Sequence, residues 1–205
     1  MRWIATATAR AGHESGKFVF VTFHRDEGAP PFSVVSRRAG AGRPLLAIKE
    51  LGEYTRALPE RPAVDDPGTL EGRCGRFNFE GARERQIGGA GGAGITSFIS
   101  RMELLAQSGA RQPPVDLFHS GNEPTGPLPG ILAEFAARSG VTPHVVVPPR
   151  VGCPASEHIG AVVPNTEQAE SRSCGPTAWG HSILNGLVPR GLPADCFHQE
   201  YFEMR

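Results

Sequence analysis

A glycine-rich run before a helix is the feature of this sequence best suited to chemistry. Residues 88–94 read GGAGGAG and lead directly into a segment with helical periodicity. Glycines at a helix N-terminus let backbone amides approach a phosphate, and the helix dipole favours its negative charge. The GxGxxG match at Gly89, Gly91 and Gly94 is weak alone, because glycine-rich runs satisfy it by chance and residues 84–87 are charged rather than a buried strand. A flexible interdomain linker is the competing interpretation.

The cysteines and histidines do not form a metal-binding pattern. Cys74, Cys153, Cys174 and Cys196 lie far apart with no CxxC spacing, and the seven histidines form no HxH or HExxH pair. We therefore expect no zinc site. So few cysteines in a chain this long also argue against a disulfide framework, and we expect reduced thiols in an intracellular compartment.

Charge and composition exclude several classes of protein. The 205 residues include 21 basic and 21 acidic side chains, so no net field attracts nucleic acid or acidic lipid. No uninterrupted apolar run reaches ~18 residues, so we expect no transmembrane segment. The 26 glycines and 19 prolines make up about a fifth of the chain, against a usual ~12%. This excess excludes a helical bundle and indicates many turns between short elements.

The pattern of apolar residues changes along the chain and predicts two domains. Short strands are predicted over residues 17–23, 32–36 and 45–51, and residues 68–72 border a fourth, which is typical of a small antiparallel barrel or sandwich. Later segments alternate between strand and helix, which predicts a parallel sheet. The predicted helices cover residues 95–108, 128–139 and 179–187, the predicted strands cover 115–119 and 143–147, and residues 194–202 form the last segment. The boundary falls near residues 81–85.

Several segments, in order, resemble the ferredoxin reductase-like FAD/NAD(P)-binding flavoproteins, in particular their ferric-reductase-like branch. Residues 91–98 (GGAGITSF) are similar to the GGxGITPF loop of that family. The further similar segments are Gly16-Lys17-Phe18 (GQF), Pro30–Ser33 (RxY[ST] or HPF[ST]), Gly52–Leu58 (GxxTxxL), Gly72–Phe77 (GPxGxF), Asp116–Ser120 (the second strand of the nucleotide domain), Cys174-Gly175-Pro176 (CGP) and Phe197–Phe202 (hxExF). The resemblance covers the chain from about His13 to Arg205.

The resemblance implies a fold of class β + α/β. An antiparallel flavin-binding β-barrel (residues 1–82, apparently shortened at its N-terminus) would precede an α/β nucleotide-binding domain with a parallel sheet (residues 83–205). A complete barrel of this type needs about one more strand before His13. A freestanding reductase, a fragment and a partner-dependent subunit all stay open.

The resemblance also implies an oxidoreductase. NADH or NADPH would pass hydride to bound FAD, which would pass electrons to a membrane haem domain, an iron–sulfur protein or a ferric complex. The expected location is the cytoplasm, with the cytoplasmic face of a membrane as an option through a redox partner. The alternative function is a degenerate, non-catalytic module of this type that acts in binding or assembly.

The family motifs assign site residues by position. Catalytic roles fall on Ser33 at the flavin N5 edge, on Cys174 near the nicotinamide and on Glu200, which would orient or protonate. Cofactor binding falls on Phe32, Ser33, Ile48, Lys49, Gly52, Tyr54, Thr55, Gly91, Gly92, Gly94, Thr96, Ser120, Cys174, Gly175 and Pro176, with no metal ligand.

Each of these side chains also has a simpler interpretation. Phe32 can stack on a flavin or fill the barrel core, and Thr55 can hold a pyrophosphate or only cap a helix. Cys174 can be a buried, inert thiol, and Glu200 a solvated charge. The choice between NADH and NADPH stays open. Ser120 resembles a position that touches the 2′-phosphate of NADPH. Residues 122–123 (NE) contain no arginine to bind that phosphate, and the acidic residue Glu123 favours NADH.

The sequence departs from the family pattern at four places, and these departures affect what we expect of the fold and of flavin binding. Pro30 and Pro31 occupy the stretch where the family has a cationic flavin contact, Arg73 replaces a proline of GPxG, and Ser97 replaces the proline of GITPF. Residues 84–89 and 171–173 are polar where buried parallel strands are normally apolar. We therefore expect shortened strands there and weakened flavin retention, and these departures favour the non-catalytic alternative.

Overall fold

The computed structural model describes residues 2–5, 15–23, 28–37, 44–48, 55, 68–81, 83–109, 112–121, 128–146 and 155–201. The chain divides into two compact units, Met1–Asn78 and Phe79–Arg205.

The first unit is an antiparallel sheet of five strands. Its strands are β1 (Arg2–Ala5), β2 (Phe18–Thr22), β3 (Pro31–Arg37), β4 (Pro44–Ile48) and β5 (Thr69–Cys74). They pair in the order β1-β4-β3-β2-β5. Apolar residues at alternate positions point to one side and form a core of Val19, Val21, Phe32, Val34 and Leu46, with Phe23 and Leu70 packed against it. Strand β1, which the sequence pattern did not predict, lies before His13 and pairs with β4.

The second unit is a parallel sheet with helices. Its strands are β6 (Arg85–Gly91), β7 (Val115–Ser120), β8 (Val141–Val146), β9 (Ala169–Gly175) and β10 (Phe197–Tyr201), in the order β10-β9-β6-β7-β8. The helices are α1 (Ile95–Ser108), α2 (Leu128–Ser139), α3 (Ala155–Val162) and α4 (Thr177–Leu187). All four ladders of the sheet are parallel. The predicted fold class, an antiparallel domain followed by an α/β domain with a parallel sheet, is confirmed.

The glycine-rich run is mostly a strand. Strand β6 continues through Gly91, and only Gly92–Gly94 form a turn, of 3-10 type, before α1. Residues 86–91 are all buried. The linker interpretation of residues 88–94 is therefore wrong, because Gly88, Gly89 and Gly91 lie in the central strand of the sheet and Gly92–Gly94 form the turn into α1.

The expected shortening of the polar strands is also wrong. Both β6 and β9 have seven residues, and every residue of β9 is buried. A Cβ on Gly88 would lie 2.7 Å from Cε1 of Phe98, and one on Gly89 would lie 2.5 Å from Cδ1 of Ile183. The glycines thus let α1 and α4 pack closely on opposite faces of the sheet. In this unit, close packing takes the place of large strand side chains.

Ion pairs accommodate Arg85, the charged residue of β6, and its neighbours on β7 and β8. Asp116 accepts hydrogen bonds from Nε and Nη2 of Arg85, at 2.9 and 2.6 Å, and pairs with Nε2 of His144 at 2.9 Å. Its partners come from β6 and β8, so one buried carboxylate links three strands. The His144 ring stacks on Phe118 with 4.7 Å between centroids. Buried charges need such partners, because an unpaired one is costly.

The limits of several elements differ from the predicted ones. Helices 95–108 and 128–139 are found as predicted. Helix α4 begins at Thr177, two residues earlier than predicted, and the strand predicted over 143–147 is found at Val141–Val146. Helix α3 was not predicted. Within the described residues, no helix is long and apolar enough to span a membrane.

Candidate functional site at the carboxyl edge of the parallel sheet

Four parallel strands end side by side and bring the second unit's predicted site residues together. In the sheet register, Ala90 of β6 lies beside Cys174 of β9, which lies beside Glu200 of β10. On the other side of β6, Gly91 lies beside Ser120, the last residue of β7. In open α/β sheets, ligands bind outside the carboxyl ends of the strands.

Two glycines allow the segments after β6 and β9 to touch through their backbones. A Cβ on Gly94 would overlap the carbonyl oxygen of Cys174. Gly175 has φ 148°, and a Cβ there would lie 2.8 Å from Cα of Gly91. Side chains at these two positions would force the segments apart, so glycine is required by close approach.

Two helices begin at this edge. Helix α1 follows the Gly92–Gly94 turn and α4 follows Pro176, and neither has an acidic residue in its first turn. No side chain caps either N-terminus. The Thr96 hydroxyl donates to the carbonyl of Ala93 at 2.8 Å, which fixes the first turn of α1. The positive ends of two helix dipoles thus lie at one edge without a neighbouring carboxylate in either first turn, a setting that favours an anion such as a phosphate.

Cys174 is a buried, neutral thiol. Its side chain has no exposed surface, and its Sγ lies 3.4 Å from Oγ of Ser97, where either atom can donate. Burial raises the pKa of the Cys174 thiol, the hydrogen bond with Ser97 lowers it and the Glu200 carboxylate raises it, and together they give a pKa of about 12. The thiol is therefore protonated near neutral pH and is not a nucleophile. This placement agrees with the simpler interpretation of Cys174, and a catalytic role stays a prediction.

Two residues of this edge were not among the predicted site residues. Ser97 stands at the position where the resembled motif has proline, and that departure was the only signal for it. Trp179 is half-buried beside Gly91: a Cβ on Gly91 would lie 3.1 Å from Cδ1 of the indole. No hydrogen-bond partner is found for the buried Nε1 of Trp179 in the described part of the chain.

The predicted flavin residues of the first unit do not form a comparable cluster. Phe32 is 6% exposed and belongs to the core of the sheet, which agrees with its simpler interpretation. Ser33, the next residue of β3, is half-buried on the opposite face. Ile48 ends β4, and Thr55 is a half-buried helical residue. Lys49, Gly52 and Tyr54 lie outside the described residues, so the flavin roles of this set stay predictions.

The two cofactors fit the described residues to different degrees. A dinucleotide fits the carboxyl edge of the second unit, where glycine-lined backbone and two helix N-termini can face a pyrophosphate. For FAD, the described part of the first unit offers polar contacts at Ser33 and Thr55. Among the described residues, no group of three or more His, Cys, Asp or Glu side chains is arranged to hold a metal ion.

Comparisons with known proteins show a likeness of fold. No family model and no curated protein matches the sequence. Among solved structures, the chain is similar to a cytochrome P450 reductase of Amycolatopsis (TM-score 0.72, 20% identity, 93% of this chain and 61% of that one). It is also similar to the flavohem-like FAD/NAD-binding domain of a nitric oxide dioxygenase of Vibrio cholerae (0.70, 15%, 96% and 88%). A third is the ferredoxin-NADP+ reductase of Plasmodium falciparum (0.68, 15%, 93% and 84%). The chain thus spans about three fifths of the first of these proteins.

Proposed function

We propose that this chain is an NAD(P)H-dependent, FAD-containing reductase of the ferredoxin reductase-like type. The observation that carries the proposal is the carboxyl edge of the second unit, where the Gly92–Gly94 turn, two helix N-termini and the segment 174–176 converge. The fold around this edge is shared with solved structures whose names include reductases and an FAD/NAD-binding domain.

The second unit binds and orients the nicotinamide nucleotide. Backbone amides near Gly92–Gly94 and the N-terminus of α1 bind its pyrophosphate, because close approach is open there and the dipole favours negative charge. Ser120, beside Gly91 at the end of β7, contacts the adenosine side. Gly175 and Pro176 border the nicotinamide. Cys174, held by Ser97 beneath them, fixes the position of this backbone and acts as a positioning residue.

Glu200 provides the ionisable group of the site. It is half-buried and lies on the same sheet face as Cys174, one strand away. From there it orients the nicotinamide or holds a proton near it. Bound FAD would accept hydride and release single electrons, chemistry that belongs to the cofactor. In the first unit, Ser33, Thr55 and the stretch 48–54 bind the flavin in this proposal, and Phe32 supports it from the core.

The electron acceptor is a haem, iron–sulfur or ferric group. The names of the similar structures include a cytochrome P450 reductase, a ferredoxin reductase in a carbazole dioxygenase and a ferredoxin-NADP+ reductase. A single-electron acceptor is the common feature that we carry over to this chain. The ferric-reductase-like branch is the narrower form of the same proposal.

The visible spectrum of the purified protein tests the cofactors. We expect the protein to take up FAD and show flavin absorption bands that bleach anaerobically on addition of NADH or NADPH. The nucleotide that bleaches the bands faster at equal concentration is the preferred one. A protein that does not bind FAD at micromolar concentration contradicts the proposal.

Stopped-flow flavin reduction tests the residues. Glu200→Gln should slow hydride transfer by about tenfold or more, since it removes an oriented ionisable group. Cys174→Ala should also slow it, whereas Cys174→Ser, which keeps a hydroxyl toward Ser97, should retain more of the rate. Glu134→Gln, on the exposed face of α2, is the matched control. Unchanged rates in Glu200→Gln and Cys174→Ala would contradict the roles proposed for these two residues, but would not contradict the proposed cofactors.

The non-catalytic alternative loses one of its two supports. The polar stretches of β6 and β9, which favoured it, lie in strands of seven residues that are buried and packed. The two motif prolines that are lost, replaced by Arg73 and Ser97, remain its support. FAD uptake without bleaching by either nucleotide would favour this alternative.

A further inference from the structure

A small cavity lies inside the second unit, on the face of the sheet covered by α1. Its volume is about 20 Å³, and the polar residues that line it are Arg101, Arg172, Gln86 and Gln112. The rest of the lining is apolar and includes Phe98 and Met102. Arg172 precedes Cys174 by two residues on the same face of β9, so the cavity lies further from the carboxyl edge than the thiol does.

The arginine on the sheet is deeply buried and only part of its guanidinium is hydrogen-bonded. Arg172 is 3% exposed. Its Nη2 donates to Oε1 of Glu170 at 3.0 Å, but no hydrogen-bond partner is found for its Nε and Nη1 in the described part of the chain. A buried guanidinium presents five N–H donors in a fixed plane. Leaving buried donors unmet is costly, so these atoms need an acceptor.

A second guanidinium faces the same space. Arg101 of α1 lies over the Phe79 ring, 5.6 Å from its centroid, and its buried Nε has no partner among the described residues. Burial lowers the pKa of both arginines; for Arg172, Glu170 raises the pKa by attraction and Arg101 lowers it by repulsion. Two positive groups that repel each other across a small space form a receptor for negative charge.

The neighbouring carboxylates do not satisfy this pair. Glu170 offers Arg172 only its Oε1, which also contacts Nε2 of His198 at 2.8 Å, while its buried Oε2 has no partner in the described part of the chain. Glu170 is not among the residues that line the cavity. Glu80, which also attracts Arg172, is exposed, where solvent screens its charge. The described lining of the cavity contains no acidic side chain.

The geometry points to a binding site for a small monovalent anion, of the size of chloride, between Arg101 and Arg172 in this cavity. One water molecule needs roughly 10–15 Å³ of such space, so about 20 Å³ admits a water-sized ion. The anion accepts hydrogen bonds from the unmet guanidinium N–H groups and offsets their repulsion. Gly88 lies beside Arg172 in the register and also lines this space.

Thermal unfolding in matched salts tests this site. The protein is first dialysed into gluconate, which is too large for the cavity, and then compared in chloride and gluconate at equal ionic strength. A chloride concentration ten times the dissociation constant should raise Tm by about 4 °C. Bromide should act like chloride, and sulfate should not. Equal Tm values in chloride and gluconate overturn the proposal, since the cavity then holds only water.

Substitutions and a direct binding measurement complete the test. Arg172→Met should abolish the difference between chloride and gluconate, and the exposed Arg138→Gln on α2 should preserve it. If Arg172→Met does not fold, Arg101→Met serves in its place, and line broadening of the chloride-35 NMR signal by the unaltered protein reports binding without any variant. Broadening that excess bromide displaces supports the site. Absence of broadening, or a chloride effect that persists in the folded variant, overturns it.

Discussion

Cys174 shows how a single side chain is adjusted by its surroundings. Its thiol is fully buried, it faces Ser97, and it lies one strand from Glu200. Each of these neighbours has a defined effect: burial and the carboxylate favour the protonated thiol, and the serine favours the thiolate. The balance keeps the group neutral over the physiological range and ties it to the turn that begins α1.

The raised pKa of Cys174 predicts a loss of stability at alkaline pH. In the unfolded chain the thiol ionises near its ordinary value of 9.0, whereas in the folded protein it keeps its proton until about pH 12. Between these values the unfolded state binds fewer protons, so the free energy of unfolding falls by up to about 1.4 kcal/mol per pH unit. Urea titrations from pH 8 to 10.5 measure this slope. Cys174→Ala should flatten it, and a slope that is unchanged in this variant would contradict the assignment.

A methyl group at Gly94 should disrupt the same edge. Because a Cβ would overlap the Cys174 carbonyl, which is backbone and cannot rotate away, we expect Gly94→Ala to lower the free energy of unfolding by about 3 kcal/mol. Gly130 of α2 has nothing within 4 Å of such a Cβ. Gly130→Ala should therefore raise stability by up to about 1 kcal/mol. Urea midpoints compare the two, and a well-tolerated Gly94→Ala would show that the segments are not in contact.

The strands show where sequence reasoning succeeded and where it failed. Strands β2 and β3 are rich in β-branched and aromatic residues between turn residues, and the helices 95–108 and 128–139 are periodic segments, so all four were predicted near their observed limits. Buried parallel strands were expected to be apolar, and that rule misjudged β6 and β9. Their burial depends on helices that approach glycines and on ion pairs with distant residues, neither of which is visible in a local window.

In the candidate site, too, local motifs could be predicted from the sequence and contacts between distant residues could not. The motif glycines and Cys174 could be predicted because they belong to short sequence motifs, the glycine-rich turn and the CGP segment, that can be recognised locally. The contact of Ser97 with Cys174 joins residues 77 positions apart, and no periodicity records such a pair. Helix α3 has only eight residues, too few for its apolar periodicity to be recognised in the sequence.

The packing of α1 on β6 predicts a specific pair of compensating substitutions. Gly88→Ala places a Cβ 2.7 Å from Phe98 and 3.0 Å from Leu117, so we expect a loss of about 2 kcal/mol in the free energy of unfolding. In the background of Phe98→Leu, which removes the opposing ring, the same change should cost at least about 1 kcal/mol less. Gly89→Ala meets only the mobile end of Ile183 and is the milder control. Additive losses in the double variant would show that Phe98 does not press on Gly88.

The division of the chain into two units separates two binding tasks. The proposed nucleotide edge lies wholly within Phe79–Arg205, and the proposed flavin residues within Met1–Asn78. The overall charge of zero offers neither unit a general attraction for polyanions. Recognition of the cofactors must therefore come from local backbone and dipoles rather than from a global field.

Hydrogen exchange measured by mass spectrometry should report the two ligands in different units. NADH or NADPH should slow exchange in peptides that cover residues 91–97 and 174–180, because ligand binding stabilises the bound state by mass action, about 2.7 kcal/mol at a hundredfold excess over the dissociation constant. FAD alone should slow exchange in peptides of the first unit. Protection by NAD(P)H confined to the first unit would contradict the proposed nucleotide edge.

The strand order of the parallel sheet has a consequence for synthesis on the ribosome. Strand β9, which flanks β6 on one side, is made about 80 residues after it. At a translation rate of roughly 5–20 residues per second, the edge of β6 that later pairs with β9 stays unpaired for several seconds. Its run of glycines pairs poorly with foreign strands, since glycine has low β-propensity and offers no side chain to a partner. The residues that let the helices close on the finished sheet thus also guard the nascent chain against aggregation.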